Sequence, residues 1–284
     1  MITKLVAKLP RLLLCASALT LLVAAGAATL DGARAAEPAG AAAIPGTAAN
    51  AGKTENAPPV DWSSWTAGNN VADLASLQRG ARNFMNYCEG CHSLKYERYQ
   101  RMATDLKIPD AVLAANLVAP GSTNLDYIGT PMPSEDAANW FGKAPPDLSD
   151  MARFKGVNYI YQYLRTFYAD PSSPTGSNNL ADPNVAMPDV LSDLEGVKQA
   201  VFRTVRQSDG TTQQVFDHFA TQSPGNMTPE QFDGFVRDTV NFLDYVGEPA
   251  QVERQRLGIW VVLFLLVLTG FAWLLKREYW KDVH

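Results

Sequence analysis

Two long uncharged stretches lie at opposite ends of the chain, and hydrophobic and polar positions are mixed between them. The first stretch runs from Leu12 to Leu30, behind three basic residues, and ends before the small-x-small pattern at 33–35. A basic, then an apolar, then a small-residue segment predicts a secretory signal peptide at 1–35. An uncleaved membrane anchor is the alternative, because 19 uncharged residues are long enough to span a bilayer.

The second stretch predicts a transmembrane helix at 257–275. Its 19 residues are dense in Leu, Val, Ile, Phe and Trp, and as a helix they cover about 28 Å, close to the thickness of a hydrocarbon core. Trp260 and Trp273 lie near its ends, as interfacial aromatic residues do. We expect the chain to cross a bacterial inner membrane once, with its body in the periplasm and residues 276–284 as a cytoplasmic tail.

Between the two stretches, a low-complexity tether leads into one body at 61–250. Residues 36–60 contain 16 Ala, Gly or Pro among 25 positions, so they have too few large apolar side chains to form a core. In the body, apolar residues recur at three- and four-residue steps over three segments. This spacing predicts helices at 71–88, 157–168 and 228–246.

Local signals refine these elements. Thr228 and Gln231 form a capping-box pattern at the start of the last helix. Gly80 lacks a side chain where another helix could approach closely. Alternation typical of strands is scarce, and we expect only one short hairpin arm, from Thr211 to Val215.

The distribution of charge excludes one class of function. The whole chain carries 24 basic and 29 acidic side chains, a formal charge of −5, and has no run of Lys and Arg. Nucleic-acid binders carry a basic patch or stripe, so we expect no nucleic-acid partner. The exported part, residues 36–257, has 17 basic and 26 acidic side chains, a formal charge of −9. Such a surface favours encounter with a cationic protein.

The chemistry of the body is concentrated in the segment Cys-Glu-Gly-Cys-His at 88–92. Cys88 and Cys91 are the only cysteines outside the predicted signal peptide, and His92 follows them at once. This is the attachment pattern of c-type haem, in which two thiols on one turn reach the porphyrin vinyl groups and the imidazole reaches the iron. A thioredoxin-like disulfide would need a preceding strand, and a zinc site would need His218 as its fourth ligand.

Three side chains are candidates for the second axial ligand of the iron. His218 is the only histidine of the body besides His92. Met132 and Met187 both precede proline in predicted loops, whereas packing explains the other methionines. Spacing does not decide between the two, and Met132 is nearer to the attachment segment. A thioether ligand would raise the reduction potential relative to a second histidine and leave no open site on the iron.

Four short segments occur in an order that one known family shares, and they are followed by a single anchor and a short basic tail. The segments are Tyr87–Tyr99, Ala144–Ser149, Tyr159–Leu164 and Ala186–Pro188. In these features the chain resembles the cytochrome c1 family, the membrane-anchored haem subunits of ubiquinol–cytochrome c oxidoreductase (bc1) complexes. The resemblance covers about residues 60 to 284.

The resemblance implies one covalently bound haem c and a set of residues around it. The implied contacts are covalent bonds to Cys88 and Cys91, iron ligands from His92 and Met187, packing by Pro146 and a propionate contact by Arg153. Met187 thereby takes precedence over Met132. Near Arg153 the chain reads Ala-Arg-Phe-Lys-Gly where the family has an Arg-rich, Gly-Gly stretch, which makes Lys155 a rival for the propionate.

The resemblance also implies a fold and a function. The fold is expected to be mainly α: a cytochrome-c-like haem domain with loop-rich insertions and one C-terminal transmembrane helix, in which helices 71–88 and 228–246 cross beside the haem. The expected role is to pass single electrons from the Rieske iron–sulfur protein to a soluble or membrane-bound cytochrome c, as a subunit of an oxidoreductase complex rather than a catalyst alone. Cytochrome b and membrane lipid are the expected partners of the anchor. The alternatives are a monohaem subunit of another respiratory oxidase and a haem peroxidase.

Overall fold

The computed structural model describes residues 59–206 and 210–282. The predicted signal peptide and almost all of the predicted tether lie outside the described residues. The helices are α1 (Leu74–Tyr87), α2 (Tyr99–Asp105), α3 (Asp110–Asn116), α4 (Ser134–Phe141), α5 (Met151–Lys155), α6 (Val157–Arg165), α7 (Ser192–Glu195), α8 (Pro229–Gly247) and α9 (Gln251–Tyr279). The strands are β1 (Leu94–Arg98), β2 (Tyr127–Ile128), β3 (Phe167–Ala169), β4 (Ser177–Asn179), β5 (Gly196–Arg206) and β6 (Thr212–Pro224).

Side-chain caps fix the starts of the two long helices of the body. α1 begins where the Asp73 carboxylate accepts a hydrogen bond from the Ser76 amide at 3.1 Å. α8 begins at the predicted capping box, in which Thr228 and Gln231 each accept a hydrogen bond from the other's backbone amide. Because the first amides of a helix have no partner within the helix, these caps define where each helix begins.

α1 and α8 cross in direct contact at Gly80. A Cβ atom on Gly80 would lie 2.1 Å from the carbonyl oxygen of Asp238 and 2.7 Å from the Cβ of Phe242. Only glycine therefore lets the two backbones come this close. Beside the crossing, the fully buried rings of Phe84 and Phe242 pack with their centroids 5.8 Å apart. The prediction that these two helices cross, with Gly80 at their contact, is confirmed.

Strand β1 begins two residues after His92 and carries the chain from the attachment segment into the core. It pairs antiparallel with β2, with Leu94 opposite Ile128, and both side chains are fully buried. The core continues through α2, α3 and their connection with more fully buried side chains, namely Tyr99, Met102, Leu106 and Leu113. The attachment segment is thus fixed between the end of α1 and this part of the core.

The helix predicted at 157–168 ends earlier than expected. α6 stops at Arg165, and the chain then enters β3, which pairs antiparallel with β4. The side-chain amide of Asn179 donates to the carbonyl of Tyr163 at 2.8 Å, and the Thr166 hydroxyl donates to the Asn179 side-chain oxygen at 3.0 Å. A buried asparagine of β4 therefore satisfies a helix-terminal carbonyl that a further turn would have used.

The longest strands are the part of the fold that sequence analysis missed. β5 and β6 pair as antiparallel strands of 11 and 13 residues, where one short arm from Thr211 to Val215 was expected. Most of the expected arm lies within β6, but the rest of the hairpin was missed. Opposite Val197–Lys198 and opposite Val201–Phe202, β6 contains one extra residue, and these bulges interrupt the two-residue alternation that marks a strand. The outer part of β5 is also largely exposed on both faces, so burial imposes no alternation there.

Helix α9 contains the predicted membrane span at 257–275. It is 29 residues long, its mean hydropathy reaches 2.4, and none of its residues is buried within the protein. Among the described residues it is the one helix long and apolar enough to cross a bilayer. A helix that is hydrophobic on every side and covered by no other part of the chain is suited to lipid.

We expect Gly80→Ala to destabilise the body, because the new methyl group would meet the backbone of α8. Overpacking of this kind costs about 1–3 kcal/mol. Chemical denaturation of the detergent-solubilised full chain, followed by near-ultraviolet circular dichroism, measures the change. The matched control is Gly234→Ala in α8, where a Cβ would meet nothing within 4 Å and where alanine should stabilise by about 0.5–1 kcal/mol. Equal stability of the two variants would contradict the crossing described above.

Candidate haem site

The predicted attachment residues lie together on one tight turn at the end of α1. The Cys88 amide donates to the Phe84 carbonyl at 2.8 Å and closes the last turn of the helix. The amides of Cys91 and His92 then donate to the Cys88 carbonyl at 3.0 and 2.8 Å. One carbonyl therefore holds the second cysteine and the histidine in place relative to the first. Both cysteines are free thiols and partly exposed.

Burial favours the protonated form of both thiols. Burial, with a smaller contribution from Cys91, raises the pKa of the Cys88 thiol to about 12. Burial also raises the pKa of Cys91. Because the thiolate is the form that attacks other sulfur atoms and binds metals, these shifts oppose disulfide exchange and metal binding by the two cysteines.

The imidazole of His92 is held by one hydrogen bond in a defined orientation. Its Nδ1 lies 2.8 Å from the carbonyl oxygen of Pro146, and since a carbonyl can only accept, Nδ1 carries the proton. Burial lowers the pKa of His92, although the Pro146 carbonyl and the nearby Asp147 oppose the shift. The neutral ring therefore keeps the lone pair of Nε2 free, which is the arrangement of a metal-binding histidine.

Asp147 fastens the segment that carries Pro146 to the segment that follows His92. Its carboxylate accepts from the Ser93 hydroxyl at 2.7 Å, from the Lys95 amide at 2.8 Å and from the Ser149 amide at 3.0 Å. Burial of the carboxyl opposes ionisation, but these hydrogen bonds outweigh it and lower the pKa of Asp147. Sequence analysis did not identify this role, although Asp147 lies in one of the segments that carried the family resemblance.

The two residues between the cysteines are also fastened. The hydroxyl of the fully buried Tyr99 donates to the Glu89 carboxylate. The Thr130 hydroxyl donates to the Gly90 carbonyl at 3.0 Å and accepts from the Met132 amide at 3.2 Å. The loop that carries Met132, the alternative axial ligand, is therefore attached to the haem-attachment turn itself.

Met187 lies in a separate loop, beside α6. The hydroxyl of Tyr163 donates a hydrogen bond to its sulfur, with 3.5 Å between oxygen and sulfur. Asn184, three residues earlier, has a left-handed backbone with φ of 62°, and its amide donates to the side chain of Asn178 at 2.8 Å. The loop is thus held by β4 on one side and contacts α6 on the other.

The remaining candidates have other surroundings. Arg153 packs against Gly247 at the end of α8. A Cβ atom added to Gly247 would lie 3.1 Å from the Cγ of Arg153. Its rival Lys155 lies over the ring of Tyr159, 5.3 Å from the ring centroid. His218 is in β6, with its Nδ1 2.7 Å from the Asp217 carboxylate. The structure therefore brings the two cysteines, His92 and Pro146 together, while Met187 and Arg153 each lie in an environment of their own.

The donor set fits a c-type haem. Such a haem is attached through two thiols on one turn, and its iron is bound by an imidazole and by a methionine sulfur. The structure offers all of these groups: Cys88 and Cys91 on one turn, His92 with its Nε2 free, and Met187 in a braced loop. Within residues 59–206 and 210–282, no group of three or more His, Cys, Asp or Glu side chains is arranged to bind a bare metal ion.

Comparison with known proteins decides the family. The model of the cytochrome C1 family matches residues 63–283. The chain belongs to the cytochrome C1 family. Cytochrome c1 of Allochromatium vinosum is 46% identical over 214 residues, which are 75% of this chain and 87% of that protein.

Two further relatives carry other names. The ammonia monooxygenase gamma subunit of Nitrosomonas europaea is 41% identical over 75% of this chain and 86% of its own length. Cytochrome b/c1 of Bradyrhizobium diazoefficiens is 25% identical over 83% of this chain and 37% of its own length.

Membership of the cytochrome C1 family confirms several expectations. The fold is a mainly α haem domain with one C-terminal apolar helix, and the family implies a covalently bound c-type haem for electron transport. The bacterial cytochrome c1 relative and α9, the one helix of the described residues that is long and apolar enough to cross a bilayer, fit a single-pass membrane protein. The roles of individual residues at the haem remain predictions.

We expect Asp147→Ala to loosen the His92 side of the site, because three donors would lose their common acceptor. Hydrogen bonds to a charged group contribute about 1.5–3 kcal/mol, so the free energy of unfolding should fall by about 2–3 kcal/mol. Denaturation of the full chain measures the loss. Asp150→Ala is the control, since Asp150 is exposed and makes no capping hydrogen bond to α5; it should change stability by less than about 0.5 kcal/mol. Similar losses in both variants would contradict the bracing role.

Proposed function

We propose that the protein is the haem-bearing subunit of a bc1 complex and passes single electrons from a Rieske iron–sulfur protein to a cytochrome c. The observation that carries the proposal is the attachment turn, where two thiols and an oriented imidazole converge. One haem is bonded through Cys88 and Cys91, with His92 and Met187 as its axial ligands. This haem supplies reversible one-electron transfer when bound.

The residues of the chain restrict that chemistry to electron transfer. His92 is fixed by Pro146, and its Nε2 would bind the iron of the haem. Met187 would bind the same iron with a soft thioether, which would favour the reduced iron relative to a second histidine. With both axial positions filled, no site is left for peroxide or oxygen, so a carrier is favoured over a peroxidase.

Two further residues complete the proposed haem surroundings. Pro146 lies beside His92 through its carbonyl, so its ring is placed to pack near the haem edge. Arg153 faces a propionate in this proposal. The support for Arg153 is that Gly247, the last residue of α8, lies against both Arg153 and Ser149. Ser149 is two residues after Asp147, whose carboxylate fastens this segment to the segment of His92. Lys155, the rival, already lies over the rings of Phe154 and Tyr159.

Helix α9 is the membrane anchor in this proposal, and the segments before and after it lie on opposite sides of the membrane. We place the body in the periplasm of a bacterial inner membrane and the basic tail after α9 in the cytoplasm. α9 contacts lipid and cytochrome b. The support for cytochrome b is that a relative matching 83% of this chain is named cytochrome b/c1. None of the residues of α9 is buried by the described part of the chain, so this helix has surface available for such a partner.

The acceptor is a cationic soluble or membrane-bound cytochrome c. The exported part of the chain has a formal charge of −9, and haem propionates add negative charge. Opposite charges on two proteins raise the rate of encounter and make that rate fall as salt is added. This charge favours electron delivery to a basic partner over contact with an anionic one.

Substitution of the two candidate methionines tests the proposal. Met187→Leu should remove the far-red sulfur-to-iron charge-transfer band of the oxidised protein and lower the reduction potential. A tenfold fall in the ferrous-to-ferric ratio corresponds to about 59 mV for one electron, and we expect at least this change. Quinol–cytochrome c reductase activity of the complex should fall at least about tenfold, because the iron would no longer accept electrons as readily.

Met132→Leu is the matched control, since leucine replaces methionine in a partly buried loop at nearly the same volume in both variants. It should keep the band, the potential and the activity. The proposed ligand set is wrong if Met132→Leu loses the band while Met187→Leu retains it. A complex that keeps its potential and its activity without either methionine would exclude both as ligands, and a complex whose activity does not depend on the haem at Cys88 and Cys91 would overturn the proposed function.

A further inference from the structure

We propose that Tyr163 is a positioning residue for the haem: its hydroxyl hydrogen-bonds the sulfur of Met187 and thereby raises the reduction potential of the iron. The inference rests on the proposed role of Met187 as an axial ligand. It adds a residue outside the ligand set, and it assigns that residue a measurable effect on the electron-transfer reaction.

The direct observation is the contact between the two side chains. The Tyr163 oxygen lies 3.5 Å from the Met187 sulfur, in the geometry of a hydrogen bond donated to sulfur. Within the described residues, the hydroxyl makes this hydrogen bond and no other. Since a partly buried phenol usually finds a partner for its hydroxyl, the sulfur is the acceptor that satisfies Tyr163.

The ring of Tyr163 is fixed from two sides, so its hydroxyl has a defined direction. It stacks on Tyr159, one helical turn earlier, with centroids 6.2 Å apart and an angle of 29°. It also meets the buried ring of Phe167 edge to face at 5.2 Å. Contacts of this kind hold an aromatic side chain in one rotamer without using its polar group.

The same element fastens both partners of the hydrogen bond. In β4, Asn179 donates to the carbonyl of Tyr163 at 2.8 Å, and Asn178 accepts from the amide of Asn184 in the Met187 loop at 2.8 Å. Both asparagines are buried. β4 therefore sets the position of α6 and of the Met187 loop together, and the oxygen-to-sulfur contact follows from this common support.

The chemical effect follows from the two lone pairs of a thioether. One pair accepts the hydrogen bond, and the other remains available for the iron. A donated hydrogen bond withdraws electron density from the sulfur, which weakens its donation to ferric iron more than to ferrous iron. Hydrogen bonding to a ligand is one of the means by which a protein tunes a metal's potential. Here the change favours the reduced state and raises the potential.

The experiment is redox titration of the purified complex carrying Tyr163→Phe, which keeps the ring contacts and removes only the hydroxyl. The ferrous-to-ferric ratio at a fixed ambient potential should fall about three- to tenfold, because the variant loses one hydrogen bond of ordinary strength that favours the ferrous over the ferric state. The far-red sulfur-to-iron band should remain but shift in wavelength. Tyr159→Phe is the matched control: its hydroxyl makes no hydrogen bond within the described residues, and its ratio should change less than about twofold.

A double-mutant cycle with Met187→Leu separates this inference from the proposed function. In the Met187→Leu background no sulfur is present, so Tyr163→Phe should no longer shift the titration. An equal shift in both backgrounds, or no difference between Tyr163→Phe and Tyr159→Phe, would overturn the inference and leave the ligand assignment intact. If the wild-type protein lacks the sulfur-to-iron band, or Met187→Leu retains it, the ligand assignment itself fails.

Discussion

The hydrogen bond between Nδ1 of His92 and the carbonyl of Pro146 is the contact on which the haem site depends. At 2.8 Å it fixes the tautomer of the ring and directs Nε2 away from the protein backbone. The carbonyl is held in position by Asp147, the next residue. The Asp147 carboxylate accepts hydrogen bonds from Ser93, which follows His92, and from Ser149 in its own segment. A single half-buried carboxylate therefore links the proposed ligand, its orienting carbonyl and the strand that leads into the core.

The second half of the site is built on a different support. Met187 and Tyr163 come from a loop and a helix that meet through the asparagines of β4. The crossing of α1 and α8 at Gly80 fixes the helix that ends at the attachment turn. As the proposed ligands, His92 and Met187 would suit a carrier of single electrons, because a site that holds the same ligands in both oxidation states needs little rearrangement when an electron arrives or leaves.

The parts of the fold that could be predicted from the sequence are those encoded over a few residues. The attachment segment is one, because covalent attachment requires fixed spacing; the capping box of α8 and the span within α9 are others. The Asp147 brace and the Tyr163–Met187 bond join residues 54 and 24 positions apart, and no local pattern marks such pairs. The β5–β6 hairpin was missed because its bulges hide the alternation. The preference for Met187 came only from the family resemblance, since spacing did not decide and Met132 is nearer to the attachment segment.

The central claim is that one haem is bonded through sulfur to the turn that ends α1. Mass spectrometry of the tryptic peptide at 83–95, which contains both cysteines and His92, tests it most directly. The peptide should be heavier by the mass of one haem, and neither cysteine should react with an alkylating reagent. Two alkylated cysteines, or a disulfide between Cys88 and Cys91, would contradict it.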